Sequence, residues 1–144
     1  MHVARIVGPF DQWAGWESFG WDLKPETPHI AGIRVFLTDG RAISYAESVM
    51  GYVADRKLGA IVGSTTAGTN GNVASFATPS GFQVRFTGMR VTHHDGRTQF
   101  HLLGVAPDIA IAPTIEDVRV GRDPVLEAGL AVARKPRVQK KRGA

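Results

Sequence analysis

A chain of 144 residues, 43% of them apolar and 21% charged, is long enough to bury one core and too short for two domains. The absence of cysteine excludes disulfides and thiolate metal sites, and no apolar run approaches the roughly 20 residues of a membrane span. A net charge of +4 invites a nucleic-acid reading, but six of the 17 basic residues (Arg134, Lys135, Arg137, Lys140, Lys141, Arg142) fall within the last eleven positions. Without them 11 basic residues face 13 acidic ones. The basicity therefore belongs to a tail, residues 135–144, expected to be disordered and solvated. No basic face interleaved with aromatics occurs elsewhere, so nucleic acid is not an expected partner.

Residues 1–31 hold Trp13, Trp16 and Trp21 together with Phe10 and Phe19, and sustain neither a period of 2 nor one of 3.6. They read as an irregular, aromatic-rich lead-in with one short strand at 4–7, and Met1–Arg5 carries no apolar stretch of a secretory signal. The aromatics anchor the lead-in onto a core or line a substrate groove. Pro25 and Pro28 precede the first firm element.

Residues 32–37 form a β-branched strand that reads as buried on both faces. After the turn at Asp39-Gly40 a helix opens at Ser44, with Ala46, Val49, Met50 and Val53 as its apolar stripe and Gly59 as its C-cap. Ala60 to Val62 is the next strand, which makes a parallel strand–helix–strand unit. Open parallel sheets place ligands beyond the carboxyl ends of their strands, where Ser44 falls. Two readings of Ser44 stand side by side. Ser44-Tyr45-Ala46-Glu47 is a capping box, Ser at N-cap and Glu at N3. It also places a hydroxyl beside the N–H groups of a helix N-terminus, where an oxyanion can be held.

The polar loop from Gly63 to Asn72 faces the same crevice and lacks the Gly-Lys-Ser/Thr ending of a P-loop. Antiparallel strands follow at 73–78, 82–86, 89–92 and 98–103. His93 and His94 are adjacent, so on a strand they point to opposite faces and cannot share one metal, and no metal site is expected. His101 reads in isolation as a satisfied, partly buried histidine. Asp123-Pro124 starts a last helix, N-cap then Pro at N1.

This order of signals resembles a specific family. A strand leads to Ser44-Tyr45-Ala46-Glu47; Ile61-Val62-Gly63 and the loop Thr66-Ala67-Gly68-Thr69-Asn70-Gly71 follow; Gly104-Val105-Ala106-Pro107-Asp108 closes the antiparallel section. Together they resemble the core domain of the tail-specific, or C-terminal-processing, serine peptidases, over residues 30–134. The resemblance implies a ClpP/crotonase-like α/β core: a parallel strand–helix–strand unit, antiparallel strands, and a C-terminal helix. It implies a hydrolase acting on peptide or protein, with Ser44 as nucleophile and the Tyr45 N–H as one oxyanion donor. A serine hydroxyl must lose its proton as it attacks, and its tetrahedral intermediate needs fixed donors, so this pairing suits the chemistry. Gly68, Thr69, Asn70 and Gly71 form the implied substrate loop, and neither cofactor nor metal is implied.

Two departures stand out. Where the processing-peptidase branch carries a lysine base, this chain has Thr69, which resembles the tricorn-type branch. There a histidine upstream serves as base and a glutamate matches the region of His101, so His101 is a candidate partner or base. The second oxyanion donor, from a glycine-rich Asp-x-Arg-x-Asn-x-Gly-Gly segment, has no counterpart in residues 1–31, and His2 and His29 lack a suggestive context. The chain is therefore expected to be the C-terminal part of a peptidase core, divided as 1–31 lead-in, 32–134 core and 135–144 tail. Alone it is expected to have little or no activity, and to complete its site with a missing N-terminal half or in a homo-oligomer. The family suggests an extracytoplasmic, periplasmic or secreted, location. The alternative is a non-catalytic crotonase-like domain that binds a peptide or another ligand, with Ser44 only a cap.

Overall fold

The computed structural model describes residues 2–5, 17–20 and 23–135. In chain order the strands and helices are β1 (His2–Arg5), β2 (Glu17–Gly20), β3 (Val35–Thr38), α1 (Tyr45–Arg56), β4 (Ala60–Gly63), β5 (Val73–Ala77), β6 (Gln83–Thr87), β7 (Met89–Thr92), β8 (Ile109–Ala110), α2 (Ile115–Arg119) and α3 (Pro124–Ala133). Trp13, Trp16, Trp21 and nearly all of the basic tail lie outside the described residues.

Strands β3 and β4 pair in parallel across α1, Val35 opposite Ala60 through Thr38 opposite Gly63, and β8 joins β4 in parallel to give the order β3-β4-β8. The β-branched runs and the Asp-Gly turn explain this unit. Alternation along β3 sends Phe36 and Leu37 to opposite faces. Phe36 packs against the core cluster of Met50, Val53, Ile61, Val91, Phe100 and Val105 under α1. Leu37 meets α3 at Gly129, where a methyl group would stand 2.7 Å from the Leu37 Cδ2. The small sheet thus carries one helix on each side. Asp108 fastens its far end: the Asp108 N–H donates to the Ile61 carbonyl (2.8 Å) and its carboxylate accepts from the Ile61 N–H (2.8 Å).

A second sheet, antiparallel in the order β2-β1-β7, ties the lead-in to the body of the chain, and β5-β6 is a separate hairpin. The mixed architecture of a parallel unit, antiparallel strands and a C-terminal helix is the one expected. The short strand of the lead-in falls at His2–Arg5 rather than 4–7, and β2 and α2 are additional elements.

Several local expectations are corrected. Residues 98–103 make only a bridge, Thr92 to Gln99, and then a turn at 101–103. That turn is needed because Leu102 adopts φ 65 and donates to the Gly68 carbonyl. The hairpin is exposed, with Phe76 54%, Phe82 72% and Phe86 42% accessible. Helix α1 ends at Lys57, not Gly59: Lys57 takes the left-handed conformation (φ 50, ψ 47), and Leu58 N–H bonds back to the Val53 carbonyl. Gly59 is instead a point of close approach, since a Cβ there would lie 2.4 Å from the Arg34 carbonyl oxygen. The buried face of α1 is Glu47, Ser48, Met50, Gly51 and Val53, whereas Ala46 and Val49 face outward. A polar contact described next rotates that face away from the expected stripe.

Candidate active site

The site is built where the carboxyl ends of β3 and β4 meet the amino end of α1. From Thr38 the chain turns through Asp39-Gly40, where Asp39 accepts from the Arg41 N–H (2.8 Å) and binds its guanidinium (2.6 Å). These contacts, the side-chain one foremost, hold the Asp39 carboxyl below its ordinary range. Ser44 then stands at the N-cap of α1 with φ 53 and ψ −113 and makes no side-chain cap bond. The Ala46 N–H donates to the Ile43 carbonyl (3.1 Å), so residues 43–46 form a tight turn with Ser44 at the position where type II′ geometry calls for glycine. A non-glycine residue held there stores backbone strain of order 1–3 kcal/mol.

The capping box is therefore not formed. Glu47, at N3, is fully buried and turns away from Ser44. Its carboxylate accepts from the Thr66 hydroxyl (2.6 Å), the Gly68 N–H (2.6 Å), the Thr69 N–H (2.7 Å) and, more weakly, the Thr69 hydroxyl (3.5 Å). The Thr66 hydroxyl in turn accepts from the Val105 N–H (2.8 Å), so its proton is committed to Glu47. Beside it Ser48 and Asn70 exchange side-chain contacts (3.1 and 3.3 Å). The first turn of the helix thus grips the polar loop, and the Ala67 N–H sews that loop to the Ala42 carbonyl (3.0 Å), two residues before Ser44.

Glycines make the close packing possible. Gly63 (φ 133) would place a Cβ 1.9 Å from the Thr38 carbonyl oxygen, and Gly104 (φ 65) one 2.5 Å from that of Thr66. Gly71 (φ 140) turns the chain from the loop into β5. Thr38, at the end of β3, carries the one buried side-chain polar atom without a partner among the described residues.

The structure brings Ser44 and Tyr45 together with the loop holding Gly68, Thr69, Asn70 and Gly71. The N–H groups of Gly68 and Thr69 are committed to Glu47. His101 lies in the exposed turn, one residue before the Leu102 N–H that docks on Gly68, and no hydrogen bond joins its ring to Ser44. Glu47 is the residue that sequence reasoning missed as a site element, because its place three residues after Ser44 fits a cap equally well.

At the other end of α1, Asp55 accepts from the His93 ring (2.7 Å) and the His94 N–H (2.9 Å), with the His94 ring at 3.2 Å, and His93 stacks on Phe100 at 4.2 Å. Burial pushes the Asp55 carboxyl up, but the His94 N–H and the His93 ring outweigh it, so the group lies below its ordinary range. Both histidines reach one carboxylate because β7 stops at Thr92 and strand alternation no longer applies. No cluster of three or more metal-ligating side chains occurs among the described residues.

A parallel sheet thus carries a serine in a tight turn at the head of its crossover helix, with a polar loop clasped against that helix. The sequence model of peptidase family S41 matches residues 21–111, and the chain belongs to that family. A candidate peptidase from Parabacteroides merdae is similar over 93% of this chain and 42% of its own, at 22% identity and TM-score 0.70. Mature CPAF in complex with lactacystin is similar over 69% of this chain and 19% of its own (24% identity, TM-score 0.58). The tricorn protease is similar over 70% and 10% (21% identity, TM-score 0.58). These structural likenesses carry the fold. The chain spans less than half the length of each of these structures. No curated protein sequence matches it.

Proposed function

We propose that the chain carries the nucleophile-bearing part of a serine peptidase of the tail-specific type, with Ser44 as nucleophile and the Tyr45 N–H as oxyanion donor. The observation that carries this reading is the backbone of Ser44: φ 53 with ψ −113 and an uncapped side chain. A cap needs extended backbone and an oxygen turned onto the N2 or N3 N–H, whereas a nucleophile elbow needs the sharp turn found here. Tyr45, the first residue of α1, sits at the positive end of the helix dipole. Membership of a peptidase family supports the same chemistry. Substrates are peptides or proteins, met in an extracytoplasmic compartment.

The base is a separate matter. Thr69 is tied to Glu47 and carries no basic group. His101 is the one candidate named from sequence; it lies in an exposed turn and makes no hydrogen bond to Ser44. No side chain among the described residues is hydrogen-bonded to the Ser44 hydroxyl; on this reading the base and the second oxyanion donor are supplied by other residues of the protein or by a second copy. Peptide hydrolysis by this chain alone is therefore expected at background.

Reaction with a fluorophosphonate probe tests the nucleophile, read by mass spectrometry of the digested protein. In a folded protein that carries the completed site, selective modification of Ser44 over Ser48, Ser64, Ser75 and Ser80 is expected. Equal background modification of all serines in that folded full-length protein favours a non-catalytic domain that binds peptide or another ligand.

A further inference from the structure

The β5-β6 hairpin stands apart from both larger sheets, so each of its strands has an unpaired edge among the described residues. Its bonding phase is fixed at both ends. The Thr78 N–H donates to the Phe82 carbonyl (2.8 Å), and the Gly88 N–H to the Asn72 carbonyl (2.8 Å). Backbone groups alternate along a strand, so the even-numbered residues bond inward. The N–H and C=O groups of Val73, Ser75 and Ala77 therefore point out along the β5 edge, and those of Gln83, Arg85 and Thr87 along the β6 edge. Open edges are ordinarily blunted by charge, proline or a bulge. From Asn72 to Gly88 the only charged residue is Arg85, in the middle of β6, and the only proline, Pro79, lies at the tip. The β5 edge is left open. One face is bare as well: Phe76, Val84 and Phe86 share it by register, all three are exposed, and the two rings meet edge to face at 6.3 Å.

We propose that two copies of the chain join antiparallel through β5, with Ser75 of each copy at the two-fold axis, to form one four-stranded sheet. The inference stands apart from the peptidase reading. Charge selects the edge. Self-pairing of β6 about its middle sets Arg85 against Arg85 of the second copy, like charges directly opposite, whereas self-pairing of β5 sets Ser75 against Ser75. Shape fits the same register. It places Val73 opposite Ala77 of the second copy and Phe76 opposite Ala74, a large side chain beside a small one each time. Ala74 already pairs with Phe86 on its other side, so Phe76 of the second copy covers Ala74 and extends the apolar face toward Phe86. The two bare faces become one band. A hairpin of two strands is marginal by itself, and four strands with a shared apolar face are not. Contact of one edge with itself closes at two copies. The outer edges are then both β6, each guarded by Arg85 against further growth.

The chain has no cysteine, so single cysteines report the register. In sedimentation velocity the full 144-residue chain is expected to show a monomer–dimer equilibrium in the micromolar range, as suits a small contact. Opposite residues of a bonded antiparallel pair lie about 5.5 Å apart at Cα, within disulfide reach. Ser75→Cys should therefore oxidise to a linked dimer. A mixture of Val73→Cys and Ala77→Cys chains should give the mixed dimer, with neither variant linking to itself. Ser80→Cys, at the tip, should stay unlinked. Ser75→Arg, on an exposed position, should keep the thermal transition and raise the dimer dissociation constant by at least about tenfold. Arg85→Ser should carry association beyond the dimer. A chain that stays monomeric into the hundreds of micromolar, Ser80→Cys linking as readily as Ser75→Cys, or a dimer unmoved by Ser75→Arg overturns the interface.

Discussion

Replacing Glu47 by Gln is the sharpest perturbation of the loop clasp. The carboxylate is acceptor-only and receives three short bonds, from the Thr66 hydroxyl and the Gly68 and Thr69 N–H groups, in a fully buried position. An amide keeps one oxygen and turns an NH2 group onto N–H donors, so one charge-assisted bond is lost and a buried donor is stranded. Bonds to charged groups contribute about 1.5–3 kcal/mol, and a stranded buried donor costs about 1–3 kcal/mol. The substitution should therefore destabilise the chain by about 3 kcal/mol, or about 10 °C in Tm for a domain of this size. Thermal unfolding followed by circular dichroism gives the shift, and hydrogen exchange at the Gly68 and Thr69 amides localises it. Both amides should exchange faster than those of the β3-β4 ladder relative to the parent chain. A Tm within about 2 °C of the parent, with exchange at 68 and 69 unchanged, would refute the clasp.

Other substitutions separate strain from capping. Ser44→Ala should change stability by less than about 0.5 kcal/mol, where loss of a true N-cap costs about 1 kcal/mol. Ser44→Gly should raise stability by about 1 kcal/mol in urea titration by relieving the positive φ, net of the added chain entropy of glycine. Gly63→Ala drives a methyl into the Thr38 carbonyl oxygen, 1.9 Å away, and should cost more than about 4 kcal/mol, seen as loss of the cooperative transition or of soluble protein. Asp55→Asn should lose about 1–2 kcal/mol at pH 7. The folded Asp55 carboxyl lies below its unfolded value, so its stabilisation is present above about pH 4 and is lost as pH falls through the lowered folded value. Urea titrations of parent and variant at pH 7 and at about pH 2.5 should show the deficit shrinking in acid.

The parallel unit was legible because β-branched runs, an Asp-Gly turn and a following helical pattern are local signals. Helix α3 was legible for a like reason: Asp123 caps it and Pro124 opens it, as the dipeptide alone indicates. Helix α2 carried a readable signal too, the Thr114-to-Asp117 capping box, but five residues are too few for a hydrophobic period. Ser44 was legible as a position and not as a conformation. Its local sequence fits a cap, but its backbone (φ 53, ψ −113) is not the extended one a cap needs, and Glu47, the other half of the box, is bound to residues 66–69, a contact that spacing along the helix does not encode. The same contact rotates the buried face of α1 and brings Glu47 and Ser48 inside at the expense of Ala46 and Val49. The reach of Asp55 to both histidines was hidden because strand alternation was carried past the point where β7 ends.

Helix α1 holds a carboxylate near each end, Glu47 on the loop before β5 and Asp55 on the turn after β7. Everything between those two grips, including the β5-β6 hairpin, is hung from a rod about 12 Å long between the carboxylate-bearing residues. Among the described residues the hairpin pairs with neither of the larger sheets, and its tip at Pro79-Ser80-Gly81 is exposed. A peptide tag or a whole inserted domain spliced at that tip should be carried without loosening the serine turn, which makes this tip the natural port through which the scaffold is extended.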